Sequence, residues 1–439
     1  MKILFITPYD NSYRYKSAFM KSLSYMPLTM PYLAALTPEE YGAEFKAIDE
    51  GVQKCDYEKL GFYDIVAITA VTASVTRGYE LAVYFKKKGS YIVMGGHHVT
   101  LMPDEAAQYA DTVMTGPADR TWREFIKDFA NSEPKQRYDG THGDIGSVRV
   151  IPKREIMKKN KYLSVPSVIA SFGCNNRCDF CDISSFLGGN HAARRIEHIV
   201  EEIRSLKSKY ILFLDSSPTS NRAFAKAFFR ALIPLKIKWV GQCTTDVCED
   251  EELFSLMVKS GCVGVLMGFE TFSEDNLKEA HKKNKAEKYK AIVDQLHKNG
   301  IAILGTFMIG FDGDTRESIM KMPDLIEEIG VDIPRFAILT PYPNKPIYER
   351  LSSEGRIISK DWNDYDCTHS TFTPKNLTAH ELEELFLWVS KECYRFKRIA
   401  KRVAKGGKMG IVKGIINVSF RIYNQRVAKN LKKDWKRKL

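Results

Sequence analysis

The sequence predicts an α/β protein in which a doubly wound parallel sheet is followed by a partial barrel and a basic helical tail. Short apolar runs alternate with amphipathic segments in two separate series, the pattern of parallel strands joined by helices. The chain has 439 residues, enough for two ordinary domains and a tail. Residues 394–439 hold sixteen Lys and Arg side chains and one acidic residue, Asp434, so the net charge of +12 resides in the tail.

The first series of apolar runs lies in residues 1–131 and predicts a five-stranded Rossmann-like domain. The expected strands are Lys2–Thr7, Ala43–Ile48, Asp64–Val71, Tyr91–Gly95 and Thr112–Thr115, with helices at Thr76–Lys88 and Thr121–Asn131. Ligands of such sheets bind at the carboxyl ends of the strands. In this chain Gly95, Gly96, His97 and Gly116 fall at those ends, so this edge is the candidate pocket.

The second series lies in residues 167–345 and predicts six β/α units, which make a partial TIM-type barrel. The expected strands are Ser167–Phe172, Tyr210–Asp215, Lys238–Gln242, Gly264–Gly268, Ala302–Ile309 and Arg335–Leu339. Residues 132–166 are polar and rich in Gly, Lys and Pro, and are expected to be a linker. Residues 346–393 form a segment after the barrel, and residues 394–439 form a basic amphipathic helical tail.

The composition is that of a globular protein, with 44% hydrophobic and 27% charged residues. No stretch approaches the ~18–20 consecutive apolar residues of a membrane-spanning helix, and the first residues lack the pattern of a signal peptide. We therefore expect a cytoplasmic protein. Nine cysteines, three of them clustered, favour a reducing compartment and metal or cluster chemistry over a disulfide framework.

The clustered cysteines, Cys174, Cys178 and Cys181, have the spacing CxxxCxxC. A loop of this length can bring three thiolates to three irons of a [4Fe–4S] cluster and leave the fourth iron open. S-adenosylmethionine (SAM) can bind that iron, and one electron from the cluster then cleaves SAM to a 5′-deoxyadenosyl radical. The alternative is a zinc site, which normally needs four ligands, and no second cysteine pair or nearby histidine set completes one.

On these residues the chain resembles the radical SAM superfamily, in the branch with an N-terminal cobalamin-binding-type domain. The resemblance covers about residues 1–395 and implies a [4Fe–4S] cluster and SAM as cofactors. The positions that it implies for SAM contact are Phe180, Asp215, Ser216, Gln242, Glu270 and Gly310. The family's common Gly-Gly-Glu is absent, and Asp215-Ser216-Ser217 stands in its place. For Glu270 the alternative is a salt bridge at the top of the barrel.

The same resemblance implies cobalamin as a third cofactor, held by the N-terminal domain. The implied contacts are Gly95, Gly96, His97, Thr100 and Gly116. The Asp-x-His-x-x-Gly motif, which supplies an axial histidine in many cobalamin proteins, is missing, because Gly51 stands at the histidine position and Lys54 at the glycine position. Cobalamin would therefore bind without a histidine from that motif. The alternative is a Rossmann-like domain without the cofactor.

The basic tail has three interpretations. Apolar residues recur at helical spacing through Met409–Leu431, with Lys and Arg between them and a polybasic end that contains Trp435. Such a helix can lie on an anionic membrane. It can equally dock on the barrel and expose a basic face. Nucleic-acid contact is not expected, since no recognition module accompanies the charge.

Together these observations predict a radical SAM enzyme that modifies an unactivated carbon of a hydrophobic substrate, such as an isoprenoid lipid or a tetrapyrrole. Cobalamin-dependent C-methylation is the first hypothesis. The second is a cobalamin-independent radical reaction that forms C–C bonds, rearranges or oxidises the substrate, and a silent membrane-associated binding protein is the third. The expected partners are the hydrophobic substrate and a low-potential electron donor such as ferredoxin or flavodoxin. A third expected partner is the anionic inner face of the membrane.

Overall fold

The computed structural model describes residues 1–9, 24–141, 146, 148–183, 187, 189–404 and 410–438. The described part of the chain contains two parallel six-stranded sheets. The first sheet has the order β2-β1-β3-β4-β5-β6. Its strands are β1 Lys2–Thr7, β2 Glu44–Asp49, β3 Ile65–Thr69, β4 Tyr91–Gly95, β5 Thr112–Thr115 and β6 Arg137–Asp139. This arrangement confirms the doubly wound sheet and adds one strand to the five expected.

The added strand, β6, belongs to the segment expected to be a linker. It pairs with β5 in parallel, and Tyr138 in its middle is buried against the first core. Val150, Met157 and Tyr162 from the same segment also lie in that core. The polar character of the segment hid this role, because in a three-residue edge strand only one side chain points inward.

The helices of the first domain cover both faces of its sheet. One apolar layer lies between the sheet and the helices on each face. They are α1 Thr29–Leu36, α2 Val75–Lys87, α3 His97–Leu101, α4 Pro103–Ala106 and α5 Thr121–Ala130. Short α3 begins directly at the end of β4, so Gly96 lies in the turn between strand and helix. The carboxyl edge of this sheet is therefore built from turns that return immediately into helices.

The second sheet has the order β14-β13-β12-β11-β10-β7, and all of its pairs are parallel. Its strands are β7 Ser167–Val168, β10 Tyr210–Phe213, β11 Lys238–Gln242, β12 Cys262–Glu270, β13 Ala302–Ile309 and β14 Ile333–Ile338. A separate antiparallel pair is made by β8 Ser171–Gly173 and β9 His191–Ala193. The structure thus confirms the partial barrel, but splits its first expected strand into β7 and β8.

Helices on the outside of the second sheet complete the β/α units. They are α6 Ile196–Ser205, α7 Arg222–Leu232, α8 Glu251–Lys259, α9 Glu274–Glu279, α10 Tyr289–Lys298 and α11 Arg316–Ile329. Among the described residues, four α-helices follow the last strand, namely α12 Pro346–Ser353, α13 Ala379–Cys393, α14 Phe396–Ala404 and α15 Gly410–Lys438. Residues 405–409 and 439 of the expected tail lie outside the described residues.

Polar contacts join the two domains at several points. The Arg194 guanidinium, directly after β9, donates to the Val150 carbonyl at 2.9 Å, a buried hydrogen bond between the second domain and the segment that packs in the first core. From the segment after the barrel, the Trp362 indole donates to Glu105 at 3.0 Å. The Trp362 ring also packs edge-on against the buried His98. Hydrogen bonds from the start of the barrel domain and from the segment after it therefore join the two domains.

The tail helix α15 docks on the barrel. Its residues Phe420, Val427 and Leu431 are buried. The Lys413 ammonium makes a buried ion pair with Asp332 at 2.6 Å. The described part of α15 is thus a packed element of the barrel domain, as the docking-helix interpretation expects. None of the described helices is long and apolar enough to cross a membrane.

We predict that the contribution of His369 to the stability of the folded chain falls as the pH rises. His369 is buried, lies 3.1 Å from Asp366 and lies 3.6 Å from Asp434 of α15. Burial opposes its charge, but the hydrogen bond with Asp366 and nearby carboxylates prevail and raise the pKa of His369 to about 9. Since an unfolded histidine titrates near 6.5, this stabilisation is complete below about pH 6.5 and is lost as the pH rises through 9.

The test compares the native chain with His369→Gln in urea unfolding at pH 6, 7.5 and 9.5. The native chain is expected to be more stable by about 2–3 kcal/mol at pH 6, and the difference is expected to shrink towards zero at pH 9.5. His380→Gln, which changes an exposed histidine of α13, is the control. A difference for His369→Gln that stays constant with pH would contradict the prediction.

Candidate active site

The cysteine loop follows β8 directly. Gly173 ends the strand with a left-handed backbone (φ 73°), and a Cβ there would lie 2.2 Å from the Asn190 carbonyl, so the turn requires glycine. Cys174, Cys178 and Cys181 all carry free thiols. Burial raises the pKa of Cys178, and the Lys282 ammonium acts in the opposite direction. Within the described residues, no three His, Cys, Asp or Glu side chains are grouped so as to hold a single metal ion.

Asp215 fixes the strand that carries this loop. Its carboxylate is 1% exposed and accepts hydrogen bonds from the backbone N–H groups of Ala170 and Ser171 and from the Ser171 hydroxyl at 2.7 Å. Burial raises the pKa of Asp215 to about 6, although these hydrogen bonds lower it. The expected SAM contact is therefore already engaged by the chain itself, and Asp215 positions β8 just before Cys174.

Glu270 ends β12 in an unusual conformation. Its backbone is left-handed (φ 65°), and the pairing with β13 shifts by one residue at this point. Such backbone strain in a non-glycine residue concentrates at functional sites. The buried Glu270 carboxylate pairs with the Lys282 ammonium at 2.8 Å, and both groups lie close enough to Cys178 to affect its pKa. The structure thus contains, beside the cysteine loop, the barrel-top salt bridge that was the alternative for Glu270.

The other expected SAM residues lie along the same edge. The Gln242 amide lies 2.9 Å from the Ser216 carbonyl and 3.0 Å from the Asp215 carbonyl, with its nitrogen as the donor. The backbone N–H of Gly310 donates to Asp314 at 2.8 Å. The ring of Phe180 packs edge-on against Phe311, with 6.2 Å between ring centroids. The structure therefore brings all of these strand ends to the edge that carries the cysteine loop.

A cavity of about 480 Å³ separates the carboxyl edges of the two sheets. Its wall on the N-terminal side includes Phe5, Ala67, Val93, Met114, Trp122, Gly96, His97 and Gly116. Its wall on the barrel side includes Ile169, Ser171, Phe172, Gly173, Leu214 and Ser216. The lining is mostly apolar with a few polar groups, the usual character of a site for an organic ligand. The cavity reaches the strand β8 that leads into the cysteine loop.

The glycines expected to contact cobalamin have a structural reason within the chain. Gly96 is left-handed (φ 107°), and a Cβ there would lie 2.6 Å from the Ala70 carbonyl. A Cβ at Gly116 (φ 67°) would lie 2.7 Å from the Thr141 backbone nitrogen. The Thr100 hydroxyl donates to the Gly96 carbonyl and accepts from the Gly116 N–H, both at 2.9 Å. These residues therefore shape the turns that form the cavity wall.

His97 lies at the point where the two domains approach the cysteine loop. It lines the cavity, and its Nδ1 is 3.4 Å from Asp182, the residue after Cys181. Asp49 and Glu50, which precede Gly51 in the altered motif, are both engaged in the fold. Asp49 accepts from Tyr162, and Glu50 pairs with Arg77 at 2.9 Å.

Three polar residues near the cysteine loop were not predicted from the sequence. Lys282 lies in a lysine-rich run in which no spacing distinguishes it. Lys345 is 1% exposed beside Cys181 and Asp182, and burial lowers its pKa. The Asn284 amide donates to the carbonyls of Gly268 and Phe269, at 2.8 and 3.2 Å. Only their place in the fold connects them with the site.

Comparison with known proteins agrees with this geometry. Residues 168–326 match the model of the radical SAM superfamily. The chain is 30% identical over 408 residues to bacteriochlorophyllide d C-8(2)-methyltransferase of Chlorobaculum tepidum, which covers 87% of this chain and 88% of that protein. It is 29% identical over 391 residues to the C-12(1)-methyltransferase of the same organism, covering 86% and 84%. The chain therefore belongs to the radical SAM superfamily.

A solved structure supports the same fold at lower identity. The radical SAM methyltransferase TsrM from Kitasatospora setae, with cobalamin and a [4Fe–4S] cluster bound, superposes with a TM-score of 0.63 at 16% identity. The match covers 80% of this chain and 75% of that chain. A Rossmann-like domain joined to a partial barrel is therefore an architecture that this chain shares with TsrM.

We predict that Asp215→Asn disturbs the cysteine loop. An amide has one acceptor oxygen, and its NH₂ group would face the N–H donors of Ala170 and Ser171, which leaves buried polar groups unpaired. We expect the free energy of unfolding to fall by about 2–4 kcal/mol and iron uptake on reconstitution to fall with it. Asp246→Asn, at a half-exposed position paired with Arg222, is the control. Normal stability and iron content in Asp215→Asn would contradict the assigned role.

Proposed function

We propose that this protein is a cobalamin-dependent radical SAM methyltransferase that methylates an unactivated carbon of a hydrophobic substrate. The observation that carries the proposal is the cavity between the two carboxyl edges. One wall is the edge of a Rossmann-like sheet, where such folds bind cofactors, and the other leads into the CxxxCxxC loop. A methyl carrier and a radical source held on these two walls would face each other across a space open to substrate.

The thiols fit a cluster. Cys174, Cys178 and Cys181 offer three ligands on one loop, and the Asn176 backbone N–H lies 3.4 Å from the Cys174 sulfur, a contact suited to a thiolate. The ammonium groups of Lys282 and Lys345 lie close enough to act on the thiols and offset negative charge there. When bound, the cluster and SAM supply the substrate-activating radical, and cobalamin carries the methyl group.

For SAM we propose the edge formed by Ser216, Gln242, Glu270 and Gly310, together with Phe180 of the cysteine loop. The Glu270 carboxylate is held rigidly by Lys282 and by its strained backbone, so it can orient a polar part of SAM without rearrangement. Asp215 supports this site indirectly, because its oxygens already accept hydrogen bonds from β8.

For cobalamin we propose the cavity wall at Gly96, His97 and Gly116. The glycine turns let the wall lie close to a large ligand, and the apolar residues behind them offer area for burial. Thr100 holds the two turns in register through its hydroxyl. His97 points across the cavity towards Asp182, so its contact links the cofactor wall to the cysteine loop.

The substrate class that we propose is a tetrapyrrole. The apolar lining of the cavity suits a hydrophobic molecule. Two relatives that span more than four fifths of the chain are named as methyltransferases of bacteriochlorophyllide d, which is itself a tetrapyrrole. We propose that a low-potential protein such as ferredoxin or flavodoxin supplies the electron that the cluster needs.

A membrane surface is the second partner that we propose. The buried side of α15 faces the barrel, but Ile411, Val412 and Ile415 near its start are exposed, at 79%, 45% and 49%. Phe396 of α14 is 68% exposed, and the Arg421 guanidinium lies over its ring. Exposed apolar side chains with basic neighbours suit the surface of an anionic membrane. Enzyme bound there would meet a hydrophobic substrate in the lipid.

The cofactor content tests the main proposal. Protein produced anaerobically with added cobalamin and reconstituted with iron and sulfide is expected to hold about 4 Fe and one corrinoid per chain. Alanine at any one of the three loop cysteines is expected to abolish formation of 5′-deoxyadenosine from SAM. Cys243→Ala, at a buried cysteine elsewhere in the barrel, is the matched control and should retain it. A full cluster without corrinoid would instead favour a cobalamin-independent radical reaction.

Binding to anionic vesicles tests the membrane proposal. Truncation of the tail would expose the barrel surface that α15 covers, so point variants are preferable. Ile411→Glu combined with Val412→Glu is expected to reduce co-sedimentation with phosphatidylglycerol vesicles at least about fivefold, because apolar area is lost and negative charge is added. Ile358→Glu, at a position 54% exposed after the barrel, is the control. Equal binding by all three proteins would reject the membrane contact.

A further inference from the structure

A basic surface lies directly beside the cysteine loop. The segment that connects α9 with α10 contains His281, Lys282, Lys283 and Lys285, and Lys278 lies just before it in α9. Its backbone touches the loop, because the Asp179 N–H donates to the Ala280 carbonyl at 3.3 Å. The side chain of His281 lies 2.9 Å from Asp179. Asp179, which follows Cys178 in the loop, is therefore in direct contact with this exposed segment.

Most of these basic groups face solvent. The side chains of Lys278 and His281 are 76% and 71% exposed, and Lys283 and Lys285 are exposed as well. Arg177, the residue before Cys178, is also exposed. Lys282 alone points inward, to Glu270. The segment thus places positive charge on the outside of the loop and one ammonium on its inside.

Neighbouring acidic groups do not cancel this charge. Glu279 pairs with Arg350 at 2.9 Å, and Glu274 accepts from the Ala286 backbone N–H. Asp275 lies 3.8 Å from Lys278, a weak exposed contact. In the part of the chain that the structure describes, Lys283 forms no ion pair. We define the basic docking surface as Arg177, Lys278, Lys283 and Lys285.

We propose that this basic docking surface receives an acidic, low-potential electron-carrier protein, which reduces the cluster through the Cys178 side of the loop. The inference rests on the proposed cluster and assigns the place where its electron enters. One electron leaves the reduced carrier, which is oxidised by one electron, and reduces the cluster by one electron, and no bond is formed or broken. A charged surface steers the opposite charge of a partner and accelerates encounter.

The test measures cluster reduction instead of turnover. The reconstituted full-length protein is mixed anaerobically with reduced flavodoxin, and bleaching of the cluster absorbance is followed. Lys278→Glu combined with Lys283→Glu is expected to slow this reduction about tenfold at low ionic strength. At high salt the difference is expected to disappear, because screening removes the attraction. Reduction by dithionite, which needs no protein docking, should be unchanged.

The control is Lys259→Glu combined with Lys298→Glu, which makes the same change of net charge. Both lysines are exposed at the ends of α8 and α10, near the amino ends of the strands and so at the opposite edge of the sheet. Equal slowing in the control, or none in the docking-surface variant, would overturn the proposal. A chain that dithionite also fails to bleach lacks the cluster, which would reject the proposed function separately. Lys278→Gln with Lys283→Gln gives a milder second variant, expected to slow reduction about threefold.

Discussion

The strand polarity of two parallel sheets is the constraint on which the site depends. In a parallel sheet every strand ends at the same edge, so all of its loops with binding groups lie on one side. The two sheets of this chain place those edges on opposite walls of one cavity. Hydrogen bonds such as Arg194 to Val150 and Trp362 to Glu105 join the two domains that carry these walls. The position of the site therefore follows from the topology of the sheets, and the contacts between the domains maintain that position.

Buried charges then set the position of the cysteine loop within this frame. Asp215 binds the strand before the loop, and the Glu270–Lys282 pair lies beside it. Each group carries a desolvation cost that only specific hydrogen bonds or ion pairs offset, so their geometry is strongly determined. The loop is consequently held by groups outside it. Its cysteine side chains can remain available as ligands because other residues provide its rigidity.

The sequence predicted the parts that follow from periodicity and spacing. The alternation of apolar runs located most strands, and the cysteine spacing located the loop. The sequence could not reveal the strand Arg137–Asp139, because a strand of three residues is too short to show a pattern. Nor could it reveal the role of Lys282, which lies within a lysine run. Asp215 looked like a ligand contact, because a strand-end carboxylate has the same sequence appearance whether it faces a ligand or the backbone. Helical spacing in the tail likewise fits a barrel surface or a lipid surface, since both bury an apolar face.

The N-terminal wall of the cavity is built from residues that contacts within the chain already engage. Asp49 and Glu50 of the altered motif are engaged with Tyr162 and Arg77, so that loop serves the fold. The glycine turns at the cavity are required by contacts within the chain. What remains for a ligand is an apolar surface of defined shape, and affinity for a large organic cofactor can arise from buried area alone. Because His97 reaches Asp182 across the cavity, this domain places its strand-end turns beside the cysteine loop.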